Sequence, residues 1–237
     1  MKNIYCSIIA VLLVSCNSLN TEGVMGSGKV TPKIYDVTHF KEIDISVVFD
    51  VVIVPSDTEK VIVETDENLQ DLVLVENGKD KLIIKMKPLT NITKKTKGKI
   101  TIYTTGLNKI TNTSVGTLEN EGVLNSKKMI LNNSAVGNVN LKIKSEDLIF
   151  NNTGVGNTDL KGNSDNVTIK NGAVGNLDTV DLKCMNLDLQ NHAVGNTVVF
   201  ADKEITINNS AVGKLDVYGN CVIKEINNTA VGKFVKH

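Results

Sequence analysis

From about residue 129 onward, apolar and polar positions alternate in short runs that return every 18 to 20 residues. Met129 and Leu131, Leu148 and Phe150, Val167 and Ile169, Leu187 and Leu189, and Ile205 and Ile207 are the apolar members of five such runs. This is strand alternation, with one face turned inward and the other outward. No 3.6-residue period accompanies it, so a helical or leucine-rich repeat is not expected. After each run comes a phrase, Asn-x-small-Val-Gly, which the chain carries seven times. Its glycines are Gly116, Gly137, Gly156, Gly175, Gly195, Gly213 and Gly232, at spacings of 21, 19, 19, 20, 18 and 19. Its asparagines are Asn112, Asn133, Asn152, Asn171, Asn191, Asn209 and Asn228. Its small residues are Ser114, Ala135, Gly154, Ala173, Ala193, Ala211 and Ala230.

A unit near 20 residues cannot bury a core alone and must stack on its neighbours. The pattern therefore predicts an all-β solenoid, a parallel β-helix with coils of about 19 residues. Each coil should advance about 4.8 Å, so the seven phrases would occupy roughly 30 Å of axis. The glycine reads as a turn residue with positive φ, where a Cβ is costly. The asparagine column has two readings: an interior amide ladder, or a turn preference with no ladder. Both are structural.

Residues 30–110 carry β patterning without the period. The strands expected there are Ile43–Ser46, Val47–Val54, Lys60–Thr65, Leu72–Val75, Lys81–Met86 and Lys99–Thr104, with a helical turn at Asp66–Asp71. A β-helix must cover its ends because open backbone edges invite pairing. This part should therefore continue into the β-helix or cap it, giving one domain over 30–237: an irregular part to 110 and the repeats from 111 to 237.

Charge narrows the partners. The 26 cationic side chains balance 26 acidic ones, and all the cations are Lys. Arg is the residue of bidentate phosphate and base recognition. Its absence and the neutral balance argue against nucleic acid, and the absence of Trp weakens an aromatic sugar platform.

The chain opens with Met1-Lys2-Asn3 and an apolar run from Ile8 to Val14, too short to span a bilayer. Residues 1–15 read as a signal peptide. Leu13-Val14-Ser15-Cys16 resembles a lipobox, which makes Cys16 the lipidated first residue and the membrane a partner through that lipid. Asn17 after it favours the outer membrane, facing the periplasm or the surface. Residues 16–29 are polar and Gly-rich and read as a flexible tether. Cys6 leaves with the signal. Cys184 and Cys221 each lie eleven residues before a repeat glycine, hence two coils or roughly 9.6 Å apart, too far for a disulfide. They are expected to be free, buried thiols.

A family resemblance rests on a series of motifs. Gly26-Ser27-Gly28 is followed in order by Phe40-x-x-Ile43, Val48-Phe49-Asp50-Val51-Val52-Ile53 and Val61-Ile62-Val63-Glu64-Thr65-Asp66-Glu67-Asn68. Leu82-Ile83-Ile84 and Leu107-x-x-Ile110 complete the series. Together they resemble the putative auto-transporter adhesin, head GIN domain family over roughly residues 26–232. The resemblance implies a right-handed β-helix and an adhesin role, and supplies no catalytic residues. An autotransporter ends in a membrane β-barrel; here the lipid on Cys16 would take its place.

Few motifs carry chemistry. Gly23 to Val30 approximates a phosphate loop but has Val30 where Ser or Thr should reach magnesium. Three residues after each repeat glycine stand Glu119, Asn140, Asp159, Asp178, Val198, Asp216 and Val235. Asp159 and Asp178 would stack about 4.8 Å apart. A solvated turn column accounts for them; calcium is the cation such a pair would hold, and glycoside hydrolysis the reaction it would suit. No other cofactor is expected. His39, His192 and His237 stand apart, and no Ser-His-Asp or Cys-His set can be assembled.

Three functions follow. The first is a non-enzymatic cell-envelope lipoprotein whose long β face binds protein or glycan. The second is a polysaccharide-active enzyme using Asp159 and Asp178. The third is a structural protein forming homo-oligomers end to end through its C-terminal coil.

Overall fold

The computed structural model describes residues 23–237, which are nearly all-β and whose stacked parallel coils form a β-solenoid. The lipobox, Cys6, Cys16 and the first part of the expected tether lie outside the described residues.

The seven phrases stack as the spacing requires. Strand Leu124–Asn133 pairs in parallel with Val139–Asn152, which pairs with Thr158–Asn171, then Leu182–Asn191, Glu204–Asn209 and Val222–Asn228. A second stack starts at Leu118–Asn120 and ends with Thr197–Phe200, Leu215–Tyr218 and Phe234–Lys236. The apolar pairs read from the sequence are register partners and line the core. Leu131, Phe150, Ile169, Leu189 and Ile207 form one fully buried column, and Met129, Leu148, Val167, Leu187 and Ile205 the other. At the phrase, the asparagines are the last paired residues of their strands, and the valines beyond them form isolated parallel bridges from coil to coil, from Val115 to Val231.

One further layer precedes the first phrase. Strands Phe40–Ser46 and Asp50–Pro55 pair in parallel with Lys109–Asn112 and Leu118–Asn120. Ile45 is the partner of Asn112, the Val115 N–H donates to Val47 O, and Phe49 O lies under Gly116. Ile45 to Phe49 thus turns the corner that the phrase turns elsewhere. This corrects the expected strand Val47–Val54: residues 47–49 are the bend, and the strand begins at Asp50.

After Pro55 the chain leaves the solenoid and builds a lid over it before returning at Leu107. Asp80–Met86 adds in parallel to Phe40–Ser46, and Gly98–Thr104 to Asp50–Pro55. Three antiparallel additions finish the end: Val73–Asn77 on Asp80–Met86, Lys60–Asp66 on Gly98–Thr104, and Val30–Asp36 on Lys60–Asp66. The outermost strand contains Pro32, which cannot donate to a ladder and blunts the edge. The helical turn is a 3-10 segment, Glu67–Leu72, with Leu69 and Gln70 buried.

The segment from Gly23 to Lys29 is not a loose tether. Val24–Met25 forms a parallel pair with Ile92–Lys94. The Asp66 carboxylate accepts from Gly28 N–H, Thr96 N–H and the Thr96 hydroxyl at 2.7 to 2.8 Å. Gly26 is needed for close approach, since a Cβ there would lie 2.5 Å from Asp66 Oδ2. The Thr96 N–H, joined by the Thr96 hydroxyl and Gly28 N–H, outweighs the cost of burial and holds the Asp66 pKa below its ordinary 3.8. A carboxylate depressed in the folded state contributes stability above its unfolded pKa and loses it as pH falls through the folded one. Amide exchange at Gly28 and Thr96 should therefore accelerate below about pH 4, before the coils lose protection. An Asp66→Asn chain should exchange fast there at any pH and show no acid step. Unchanged protection of both amides at the lowest pH that leaves the coils folded would contradict this role.

Candidate functional site: the columns of the regular coils

Because every coil repeats the same backbone, each phrase position becomes a column along the axis. The asparagines face inward. From Asn112 to Asn228, each Nδ2 donates to the Oδ1 of the next asparagine at 2.9 to 3.1 Å, six bonds in one direction. Six of the seven are buried. At the first coil, no asparagine precedes Asn112, and the Ser114 hydroxyl donates to Asn112 Oδ1 instead. That accounts for Ser at a position where most phrases have Ala. The glycines all have φ between +137° and +154°.

The valines face out. Val115, Val136, Val155, Val174, Val194 and Val212 are each about half exposed, and Val231 more so. The alternation demands it: the small residue before each valine points into the corner beside the asparagine, so the valine points away. An exposed ridge of identical apolar side chains results, roughly 30 Å long at the strand spacing. On one side runs the x column, Thr113, Ser134, Thr153, Gly172, His192, Ser210 and Thr229. Ser134 and Thr153 hydroxyls bond each other at 2.8 Å, and His192 Nδ1 lies 2.6 Å from Ser210 Oγ. On the other side Asn138, Asn157, Asn176 and Asn196 form a second ladder, each Oδ1 accepting the backbone N–H one coil on at 2.9 to 3.1 Å. Sequence reading took the repeated valine as part of the scaffold phrase and did not see that it forms a surface. The signal was the fixed two-residue offset from the inward asparagine.

The carboxylate column also lies where the spacing put it. Asn140, Asp159, Asp178, Val198, Asp216 and Val235 are successive register partners. Lys161 Nζ sits 2.8 Å from Asp159 Oδ2, and the hydrogen bond to Asp159, joined by the charges of Asp159, Asp181 and Asp178, raises the lysine pKa. Asp178 Oδ1 accepts the Val180 N–H at 3.1 Å. A calcium ion at this pair would have to displace the ammonium of Lys161. Asp216 has the same kind of neighbour. Burial works against its carboxylate, but bonds from Lys214 and His237, both at 2.8 Å, outweigh it and lower the pKa. His39 lies 3.0 Å from Glu59, far from His192 in the chain. Among the described residues, no three His, Cys, Asp or Glu side chains are grouped as a metal site would need.

Cys184 and Cys221 are buried and unpaired. Two coil steps separate them: Asp202 N–H donates to Cys184 O, and Val222 N–H to Lys203 O. Burial, aided by the charge of Cys221, pushes the Cys184 thiol up to about 12, so it is protonated and unreactive at neutral pH.

The fold recurs in known proteins. The crystal structure of a putative adhesin from Bacteroides fragilis is similar over 91% of this chain and 100% of that one, with TM-score 0.85 and 23% identity. A putative lipid binding protein from Parabacteroides distasonis matches with TM-score 0.69 and 17% identity, over 90% of this chain and all of its own. A putative adhesin from the same organism gives 0.62 and 19%, over 91% and 100%. At these identities the likeness shows the fold alone. No curated protein sequence matches the chain. The family model for the putative auto-transporter adhesin, head GIN domain matches residues 39–221, from the start of the first layer to Cys221 in the last coil, and the chain belongs to that family.

Proposed function

We propose that the protein is a non-enzymatic adhesin of the cell envelope, held to the outer membrane by lipid on Cys16. On this reading it binds a protein or glycan ligand along the valine ridge. The observation that carries this reading is the ridge itself. Seven exposed valines in register, edged by hydroxyl and amide columns, give one long apolar contact strip with hydrogen-bonding rims. Contiguous exposed apolar surface of this size in a soluble domain marks an interaction face. Family membership supports the adhesive reading. The lid sits at the end nearest Cys16 in the chain, so the regular coils would extend away from the anchor.

The test uses the unlipidated Cys16→Ser chain on immobilised glycans and extracellular-matrix proteins. At least one surface should retain it. A Val155→Lys/Val174→Lys/Val194→Lys chain should bind at least about tenfold more weakly, with its unfolding temperature nearly unchanged because the valines lie outside the core. Retention on no surface, or equal retention of both chains, would remove the ridge from consideration.

A further inference from the structure

We propose that the lid carries a second membrane contact, a basic loop with an apolar tip that binds the anionic headgroups of the bilayer holding the anchor. The surface comprises Lys87, Leu89, Lys94 and Met25. The inference rests on the Cys16 anchoring reading for its orientation and on three observations for its chemistry.

The first is charge. From Lys81 to Leu118 the chain has eight lysines and no Asp or Glu. Several are neutralised across the lid: Lys81 by Asp44, Lys85 by Glu76, Lys97 by Glu64 and Lys109 by Glu42. Lys95 turns its ammonium inward, onto Val48 O and the face of Phe49. Lys87 and Lys94 are exposed and form no ion pair among the described residues.

The second is a turn that breaks a local rule. Lys87-Pro88-Leu89-Thr90 is closed by the Thr90 N–H and hydroxyl on Lys87 O. Pro88 takes the second place, and Leu89 the third with φ +59°, where glycine or asparagine is usual. Leucine is strained there and gains no burial in return, being 78% exposed. Local rules broken without a folding gain concentrate at functional sites. Met25, in the two-stranded sheet beside this turn, is 63% exposed. Apolar tips between lysines suit the boundary between headgroups and acyl chains.

The third is reach. The Val24 N–H donates to Asn91 O, two residues from Leu89, and the Gly26 N–H to Lys94 O. The chain from Cys16 therefore joins the fold alongside this loop. Only seven residue steps separate Cys16 from Gly23, which span at most about 25 Å. An acylated Cys16 would hold Lys87, Leu89 and Lys94 close to the bilayer, where each lysine raises affinity for an anionic surface about fivefold.

Vesicle co-sedimentation of the unlipidated Cys16→Ser chain tests this. Vesicles would be phosphatidylcholine alone, or phosphatidylcholine with phosphatidylglycerol at roughly one part in three. Binding is expected to the mixed vesicles, weakly to the neutral ones, and to fade in about 0.5 M salt as screening shortens the electrostatic range. Lys87→Gln/Lys94→Gln should lower it by about 25-fold. Leu89→Gly relieves the turn and removes the tip, so it should weaken vesicle binding while leaving the unfolding temperature unchanged or higher. No binding by the unlipidated chain, equal binding to both vesicle types, or indifference to these substitutions would overturn the proposal. Fatty-acid labelling of the native chain tests Cys16 separately. A missing label would remove the anchor and leave the vesicle result to stand or fall alone.

Discussion

A Gly175→Ala chain is expected to lose about 3 to 5 kcal/mol of stability, from one added methyl group. Two costs coincide. The backbone at Gly175 has φ +140°, a region that L side chains rarely adopt. The new Cβ would also point straight at Gly156 O, far inside van der Waals contact. The obstacle is backbone, so no rotamer change relieves it. The coils cannot separate either: the Gly156 N–H donates to Val174 O at 2.9 Å and the Val174 N–H to Gly154 O at 3.0 Å, one on each side of the corner. The same geometry recurs from Gly137 to Gly232, each glycine lying over the carbonyl of the one before. In a chain of this size the loss should lower the unfolding temperature by roughly 10 °C, read by calorimetry or circular dichroism. Gly106 is the control. It has no positive φ, and a Cβ there meets nothing within 4 Å. Gly106→Ala should therefore stay within about 0.5 kcal/mol. If the two substitutions cost the same, the glycine column is not held by the stacking argued above.

Wherever one coil copies the next, the sequence was a sufficient guide. The inward apolar pairs, the carboxylate column and the two-coil separation of Cys184 and Cys221 all follow from counting back to a glycine. A solenoid converts a sequence offset into a spatial column, so local pattern and tertiary position are the same information. Legibility ended where contacts join residues far apart without a period. The layer of Phe40–Pro55 was hidden because Ile45 and Phe49 stand where the phrase has Asn and Gly. Phe49 is fully buried, so the first corner is filled by a ring rather than by stacked glycine backbone. Gly23 to Lys29 has the composition of a linker, and it is fixed by partners far along the chain, among them the strand Ile92–Lys94 and Asp66, which is 38 residues beyond Gly28. No spacing rule links those positions. For the valine ridge the information was present, since alternation from the inward asparagine sends valine outward.

Asn152→Ala should cost about 2 to 5 kcal/mol, although it buries no new atom and creates no clash. The loss lies in what the neighbours retain. Asn133 Nδ2 keeps a buried donor without its acceptor, and Asn171 Oδ1 keeps a buried acceptor without its donor. Each orphan forfeits about 1 to 3 kcal/mol of desolvation that the bond had offset. Asn228, at the exposed end, accepts from Asn209 alone, so Asn228→Ala should cost no more than about 1 kcal/mol. Chemical denaturation of both chains gives this comparison directly. An Asn152→Asp chain then separates the ladder from simple packing. Ionised, the new carboxylate accepts from Asn133 but faces the Asn171 oxygen with nothing to donate. Protonated, it restores a donor. Its folded pKa must therefore rise above the unfolded value near 3.9, and stability relative to the parent should fall as pH climbs from about 4 to 7. Equal costs at Asn152 and Asn228, together with no such pH slope, would leave the column as a turn preference and not a hydrogen-bonded spine.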